Sequence, residues 1–423
     1  MLFRPARASD LDGVCELLAT PRQGPDYFHA LFTSDPSFEP GQIRVAWTGG
    51  HIVGCVKMYP RLLRIGTTVV AATGIGNLRM EPRHQDQRLA ASLLAECMSA
   101  MRLQGAVLAP LFASPHASFV REGWSALSNT ELEIPVEMLT MGPEAEVGPR
   151  GRVIRPPREV QVRPLESHDL DAALALHESV NVARTGSVVR DRDTWLNNLA
   201  VLNAQGARML VAEHGGELAG YVVAQQQGQQ DRHARKIEVL ELLLAPWSHE
   251  AWRPLLRAAV DTAGAGSGAG AATILSACLP RDYRALITDA LGDTVATRLR
   301  DDLMVRMVDA PRLLREITPL LVTRLRKNPA AETLRLRIGP LRGGVALSIA
   351  DARIVVDIPS RDDPYALPES TFLALLFGTE DAYARLRDPA ANVGLPPLPD
   401  WALETLERLF PPQDWIYWRS DAF

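Results

Sequence analysis

A chain of 423 residues is longer than one hydrophobic core can organise and suits about three domains. Its 47% hydrophobic content can fill those cores, yet no apolar run approaches the roughly 18 to 20 residues of a membrane span. A net charge of −5 argues against a general nucleic-acid binder, so the expected partners are small molecules, with neither nucleic acid nor membrane involved.

The opening residues, Met1 to Pro5, lack the charged start and apolar stretch of a signal peptide, so a cytoplasmic location is expected. Arg4-Pro5 followed by Ser9-Asp10 reads as a strand end and a helix N-cap, with Leu11, Val14, Leu17 and Leu18 then recurring at helical spacing. Residues 26–38 read as short helices and loop. There Asp26, Tyr27 and Phe28 are candidates for substrate contact, and the competing reading is a mobile surface segment. Residues 43–47 and 51–59 alternate around Thr48-Gly49-Gly50 and predict a hairpin. Strands over about 67–72 and 73–80 continue the sheet. A helix marked by Leu89, Leu93, Leu94, Cys97 and Met101 stops near Gly105, and a strand over 106–112 follows.

Residues 141–159, rich in Pro, Gly and charge, read as a linker. Beyond it the chain repeats itself. Arg4-Pro5 with Ser9-Asp10-Leu11-Asp12 returns as Arg163-Pro164 with His168-Asp169-Leu170-Asp171, and Gly49-Gly50 with Gly54 as Gly215-Gly216 with Gly220. A glycine-rich tract at 264–270 precedes a strand at 273–278. The third segment differs: a helix at 313–326, strands at 334–338, 344–349 and 352–358, then helices at 371–377 and 401–409, an α+β pattern with no catalytic cluster. Cys15, Cys55, Cys97 and Cys278 stand apart in apolar settings and read as reduced core residues, so no metal site is expected.

The first copy's order, ending in Phe119-Val120-Arg121-Glu122-Gly123-Trp124, resembles the GNAT acyltransferase superfamily. With two such copies, an α+β segment similar to sterol carrier proteins and an aromatic last residue, the whole chain resembles the Eis (enhanced intracellular survival) acetyltransferases. The resemblance implies an α+β fold of three domains: residues 1–145, the candidate catalytic GNAT-like domain; 158–308, a second GNAT-like domain without cofactor; and 309–423, sterol-carrier-like. It implies N-acetyl transfer from acetyl-CoA to a primary amine of a small molecule or a peptide lysine, and a homo-oligomer, hexameric in that family.

The resemblance also implies site residues. Leu78 and Met80 would offer strand backbone to the pantetheine arm, and Gln85, Asp86, Gln87, Arg88 and Ala90 occupy the pyrophosphate turn at a helix N-terminus. Asp86 and Arg88 depart from that turn's usual glycines and basic residue. Phe119 stands at the position of the usual tyrosine acid, leaving Ser114, Ser118 or water as proton donor, and the Phe423 carboxylate is the implied base. Trp195 belongs to a segment that walls the substrate cleft in that family. The second copy's equivalent of the phosphate turn, Pro246 to Trp252, has no glycine. A competing reading is a catalytically degenerate binding or assembly protein that has lost acetyl transfer.

Overall fold

The computed structural model describes residues 1–84, 87–113, 117–140, 160–227, 234–262, 272–341, 344–388 and 397–422. Both the expected linker at 141–159 and the glycine tract at 264–270 lie outside the described residues. Up to the linker the elements are β1 (Leu2–Pro5), α1 (Leu11–Leu18), α2 (Pro25–Thr33), β2 (Ile43–Thr48), β3 (His51–Ile65), β4 (Thr68–Met80), α3 (Gln87–Leu103), β5 (Leu108–Phe112), α4 (Ala117–Arg121), β6 (Ser125–Ala126), β7 (Asn129–Pro135) and α5 (Glu137–Thr140). The second copy supplies β8 (Gln161–Pro164), α6 (Leu170–Asn181), β9 (Val188–Val189), α7 (Arg192–Ala204), β10 (Arg208–His214), β11 (Glu217–Gln226), β12 (Ala234–Leu244), α8 (Trp252–Thr262), β13 (Ala272–Cys278), α9 (Arg281–Leu291), β14 (Ala296–Arg300) and β15 (Leu303–Met307). The remainder comprises α10 (Ala310–Lys327), β16 (Ala330–Ile338), β17 (Val345–Asp351), β18 (Arg353–Asp357), β19 (Tyr365–Leu367), α11 (Glu369–Phe377), α12 (Ala382–Arg387) and α13 (Asp400–Leu409).

The chain divides into two compact units that are not continuous in sequence. One contains Met1–Ser128 and Asp301–Gln413, the other Asn129–Arg300 and Asp414–Ala422. The first unit's principal sheet runs β1-β2-β3-β4-β5-β15-β6, and the second unit's runs β8-β10-β11-β12-β13-β7-β14. The two orders correspond strand for strand. In each, the strand that follows the parallel pair comes from the far side of the sequence: β15 lies antiparallel to β5, and β7 lies antiparallel to β13.

The repeated sequence motif has a repeated bond. Arg4 pairs with Asp10 at 2.6 Å, and the Asp10 carboxylate also accepts the Arg7 N–H at 2.7 Å. In the second copy Arg163 pairs with Asp169 at 2.6 Å, and Asp169 accepts the Glu166 N–H at 2.8 Å. One carboxylate thus ties the end of a strand to the start of the next helix, which is what the Arg-Pro and Ser/His-Asp spacing encodes.

In the first unit, alternate residues of β2 and β3 serve opposite faces, as a strand requires. Ala46, Val56 and Met58 pack with Leu89, Leu93, Leu94, Cys97 and Met101 of α3. Val45 and Cys55 pack with Val14 and Leu18 of α1 and Phe28 and Phe32 of α2. The two strands expected between 67 and 80 are one, β4, which pairs with β3 along most of its length. The segment after α10 forms a further sheet, β18-β17-β16-β19, completing the mixed α+β architecture. Cys15, Cys55 and Cys97 are buried and Cys278 is half-buried, and none of the four is in a disulfide.

Candidate active site

β4 and β5 run parallel and pair only at Ala72 with Leu108 and Ile75 with Leu111. β4 then continues to Met80, whereas β5 ends at Phe112. Gly76 to Met80 therefore present a backbone edge with no strand beside it among the described residues. On its other side this stretch still pairs with β3, through Lys57 with Gly76, Cys55 with Arg79 and Gly54 with Met80. The register slips by one residue between Cys55 and Lys57, and at the slip Asn77 takes the left-handed conformation, with φ 52°. That is a β-bulge, which re-aims backbone groups where a strand meets a site. The Tyr59 hydroxyl donates to the Asn77 side-chain oxygen. β4 is followed by a short turn at Pro82–His84 and then by α3, a strand-turn-helix order.

On the α1–α2 face, beside the bulge, sits a lysine. Lys57 is 2% exposed, and its ammonium lies 4.4 Å from the Tyr59 ring centre, 4.7 Å from Phe32 and 5.0 Å from Phe38. Phe32 and Phe38 are stacked on each other at 5.6 Å. Burial lowers the Lys57 pKa from 10.5 to about 8, with Asp35 working in the opposite direction. Burial likewise pushes the Tyr59 phenol well above its ordinary value. Sequence reasoning missed Lys57, Tyr59 and Asn77. The usable signal was the single charge inside the apolar run Val53 to Tyr59, since an unpaired charge in a strand buried on both faces calls for an explanation.

Of the expected site residues, Leu78 and Met80 lie on the open stretch of β4, with side chains packed at the margin of the α3 core. Gln85, Asp86 and Ser114 lie outside the described residues, as does Phe423. Gln87 opens α3, Arg88 in its first turn is exposed, and Ala90 is half-buried. Phe119, in α4, is half-buried and meets Trp124 edge-to-face at 6.1 Å, so its ring closes the core instead of offering a proton. In α2, Asp26 is exposed in the first turn, Tyr27 is half-buried against Phe28 at 5.2 Å, and Phe28 is a core residue. Ser118 in α4 is exposed.

Trp195 is 2% exposed within the second unit, where Arg190 lies over its ring at 5.5 Å. Arg190 is the centre of a buried polar network. It pairs with Glu241 and with Asp421 at 2.8 Å each and donates to Ser420 at 3.0 Å, while the Tyr221 hydroxyl donates to Glu241 at 2.6 Å. Burial works against the Arg190 charge, yet Asp421 and Glu241 together hold its pKa well above the usual value. The Trp418 indole N–H donates to Asn181 at 3.2 Å, and the Ile416 N–H to the Thr185 carbonyl at 2.9 Å. Residues 416–421 are therefore fastened into this unit by buried hydrogen bonds.

The second unit's counterpart of the open edge is occupied by its own side chain. β12 and β13 pair from Ala234 with Ala272 to Val239 with Ala277, after which β12 runs on to Leu244. The Tyr283 hydroxyl, from α9, accepts the Leu244 N–H at 3.0 Å and reaches its carbonyl at 3.3 Å. Arg184 covers the Tyr283 ring at 4.9 Å. Trp252, the first residue of α8, is buried where a phosphate turn would need backbone exposed, whereas Trp247 is half exposed.

Among the described residues no group of acidic, histidine or cysteine side chains could hold a metal ion, and no helix is long and apolar enough to cross a membrane. Residues 3–127 match the sequence family described as an acetyltransferase (GNAT) domain. No curated protein is a significant match. The fold is similar to Eis1 from Mycobacterium abscessus, at 17% identity and a TM-score of 0.66, covering all of both chains. It is also similar to a GCN5-related N-acetyltransferase from Anabaena variabilis, at 13% identity and 0.68 over 98% of each chain. A GCN5-related N-acetyltransferase from Kribbella flavida gives 18% and 0.64 over all of both. The chain thus shares a whole-length fold with these proteins, and its residues 3–127 match the acetyltransferase (GNAT) domain family.

Proposed function

We propose that the first unit binds acetyl-CoA along the open edge of β4 and transfers the acetyl group to a primary amine of a small molecule or of a peptide lysine. One observation carries this reading: Gly76 to Met80 leave their parallel neighbour and carry a bulge at Asn77, inside the stretch that matches an acetyltransferase domain. An extended arm of alternating amides can add to such an edge as a strand would, through the backbone at Leu78 and Met80. In this reading the turn from Gln85 to Ala90 receives the pyrophosphate on helical N–H groups, and the exposed Arg88 pairs with a phosphate.

In the reaction the amine nitrogen bonds to the thioester carbon and the carbon–sulfur bond breaks. The nitrogen's proton passes to a base, for which the Phe423 carboxylate stands nominated, and the thiolate takes a proton from Ser114, Ser118 or water because Phe119 has none. A missing acid of this kind commonly costs ~10² to 10⁴ in rate, whereas holding the reactants together supplies on the order of 7 to 11 kcal/mol, so slow transfer survives the loss.

A second reading, binding without catalysis, draws its support from Phe119. Calorimetric titration of acetyl-CoA, followed by thiol release over a panel of primary amines, decides between them. Binding with turnover supports acetyl transfer, binding without turnover supports the second reading, and absence of binding ends the first.

A further inference from the structure

Lys57 presents a problem that the proposed reaction leaves unused. Its ammonium is enclosed by Tyr59 from β3, Phe32 from α2 and Phe38 from the connection between α2 and β2. The rings stabilise a cation through their faces but supply no negative charge. Among the described residues no carboxylate lies within ion-pair distance of the nitrogen. The charged and titratable groups that bear on it are Asp35, on the same connection as Phe38, and Arg61, further along β3. A buried charge without a counter-ion is costly, and the second unit shows how this chain ordinarily meets that cost, by giving Arg190 two carboxylates. The chain also has only three lysines, at 57, 236 and 327, among 45 basic residues, so a lysine here is the exception.

The position gives the exception a use. Lys57 pairs in register with Gly76, one residue before the Asn77 bulge where the open edge begins, and the Tyr59 that walls it also holds the Asn77 side chain. Neighbouring strands lie about 5 Å apart, so Lys57 is one strand in from the open edge, with its ammonium on the α1–α2 face of the sheet. We propose that Lys57 is the anion-recognition point of the acceptor site, so that the preferred acceptor is a primary amine that also carries a carboxylate. This rests on the reading of the first unit as an acetyltransferase. A carboxylate arriving at Lys57 completes the missing ion pair, and the acceptor's amine is left free for the open edge. A diamine or polyamine instead brings a second positive charge towards a buried ammonium, which repels it. Phe38 is the one wall carried by irregular backbone and is half-buried, and entry is from that side.

The small number of lysines makes the test direct. Protein labelled with carbon-13 at the lysine Cε atoms gives three signals, and that of Lys57 is followed against pH with γ-aminobutyrate, with butyrate and with putrescine. The two carboxylates are expected to move the Lys57 signal alone and to raise its midpoint by about one unit or more, the equivalent of roughly tenfold preference for the charged form, while putrescine leaves it in place. An unmoved Lys57 signal with both carboxylates, or an equal response to putrescine, overturns the proposal. In turnover, wild-type kcat/KM for γ-aminobutyrate should exceed that for putrescine by about tenfold, and Lys57→Met should abolish that preference through KM with kcat little changed. A preference that survives in Lys57→Met also overturns it. Failure of acetyl-CoA to bind would show in the calorimetric titration and count against the acetyltransferase reading instead, because the lysine signals report the anion without any turnover.

Discussion

Two strands in this chain part from their parallel partners in the same way, and they end differently. β4 pairs through Gly54 with Met80, β12 through Gly220 with Leu244, and each is followed by a hydrogen bond from the next residue back to the neighbouring strand, Glu81 to Val53 at 2.9 Å and Ala245 to Ala219 at 2.8 Å. In the second unit the first helix after the parallel pair delivers Tyr283, whose hydroxyl takes up the Leu244 backbone. In the first unit the corresponding helix delivers Phe119, which packs on Trp124 and has no hydroxyl to spend. A phenol is thus present in the copy where it takes up the strand's backbone and absent from the copy where the edge is open. Buried polarity follows the same division: the second unit is held by a satisfied ionic network, while the first keeps a lysine with no carboxylate within ion-pair distance among the described residues.

The largest expected effect lies in the satisfied network. Arg190→Ala leaves Glu241 and Asp421 buried without their partner and should destabilise the protein by about 3 to 5 kcal/mol in urea unfolding. A loss well below that would show that the network relaxes or hydrates, and the contrast between the units would weaken. Next is the unanswered charge. The Lys57 midpoint in the folded protein, about 8, lies below its ordinary 10.5. Between those values the unfolded chain binds more protons, so stability should rise with pH, by on the order of 3 kcal/mol for a buried group, and Lys57→Met should flatten that rise. Third, Phe119→Tyr gives the first unit a phenol at the place where the second has Tyr283 and, on the proposed reading, should raise acetyl transfer by about tenfold to a hundredfold with little change in stability. An unchanged rate would mean that the ring does not face the reaction. The smallest effect is expected from the converse, Tyr283→Phe, which leaves the Leu244 N–H without its acceptor and should cost about 1 to 2 kcal/mol without creating a second acetyl-CoA site, read by unfolding and by binding stoichiometry.

The helices and hairpins were legible because each depends on local periodicity: α3 on Leu89, Leu93, Cys97 and Met101, the β2–β3 turn on Gly49 and Gly50, both at positive φ. The repeated Arg and Asp were legible because their bond spans only six residues. What stayed hidden joins residues far apart. Alternation along β7 and β15 announces strands without saying which sheet each will enter. Lys57 is conspicuous in the sequence, but its surroundings come from Phe32 and Phe38, and Arg190 meets Glu241 and Asp421 from 51 and 231 residues away. The resemblance thus nominated a strand and a turn from the sequence, while the surroundings of Lys57 come only from three-dimensional neighbours.

The exchange of β7 and β15 also sets the order in which the molecule can be finished. During synthesis the opening sheet must wait, one strand short, until residue 307 has left the ribosome, although its other strands up to β5 are complete by residue 112. Such late closure is slow and exposes an unfinished edge, which makes nascent chains a target for assisted folding. No single cut through the chain yields two whole sheets, because β15 of the first sheet follows every strand of the second in sequence. Expression of the matching 3–127 segment alone is accordingly expected to give aggregated material, whereas the full chain folds.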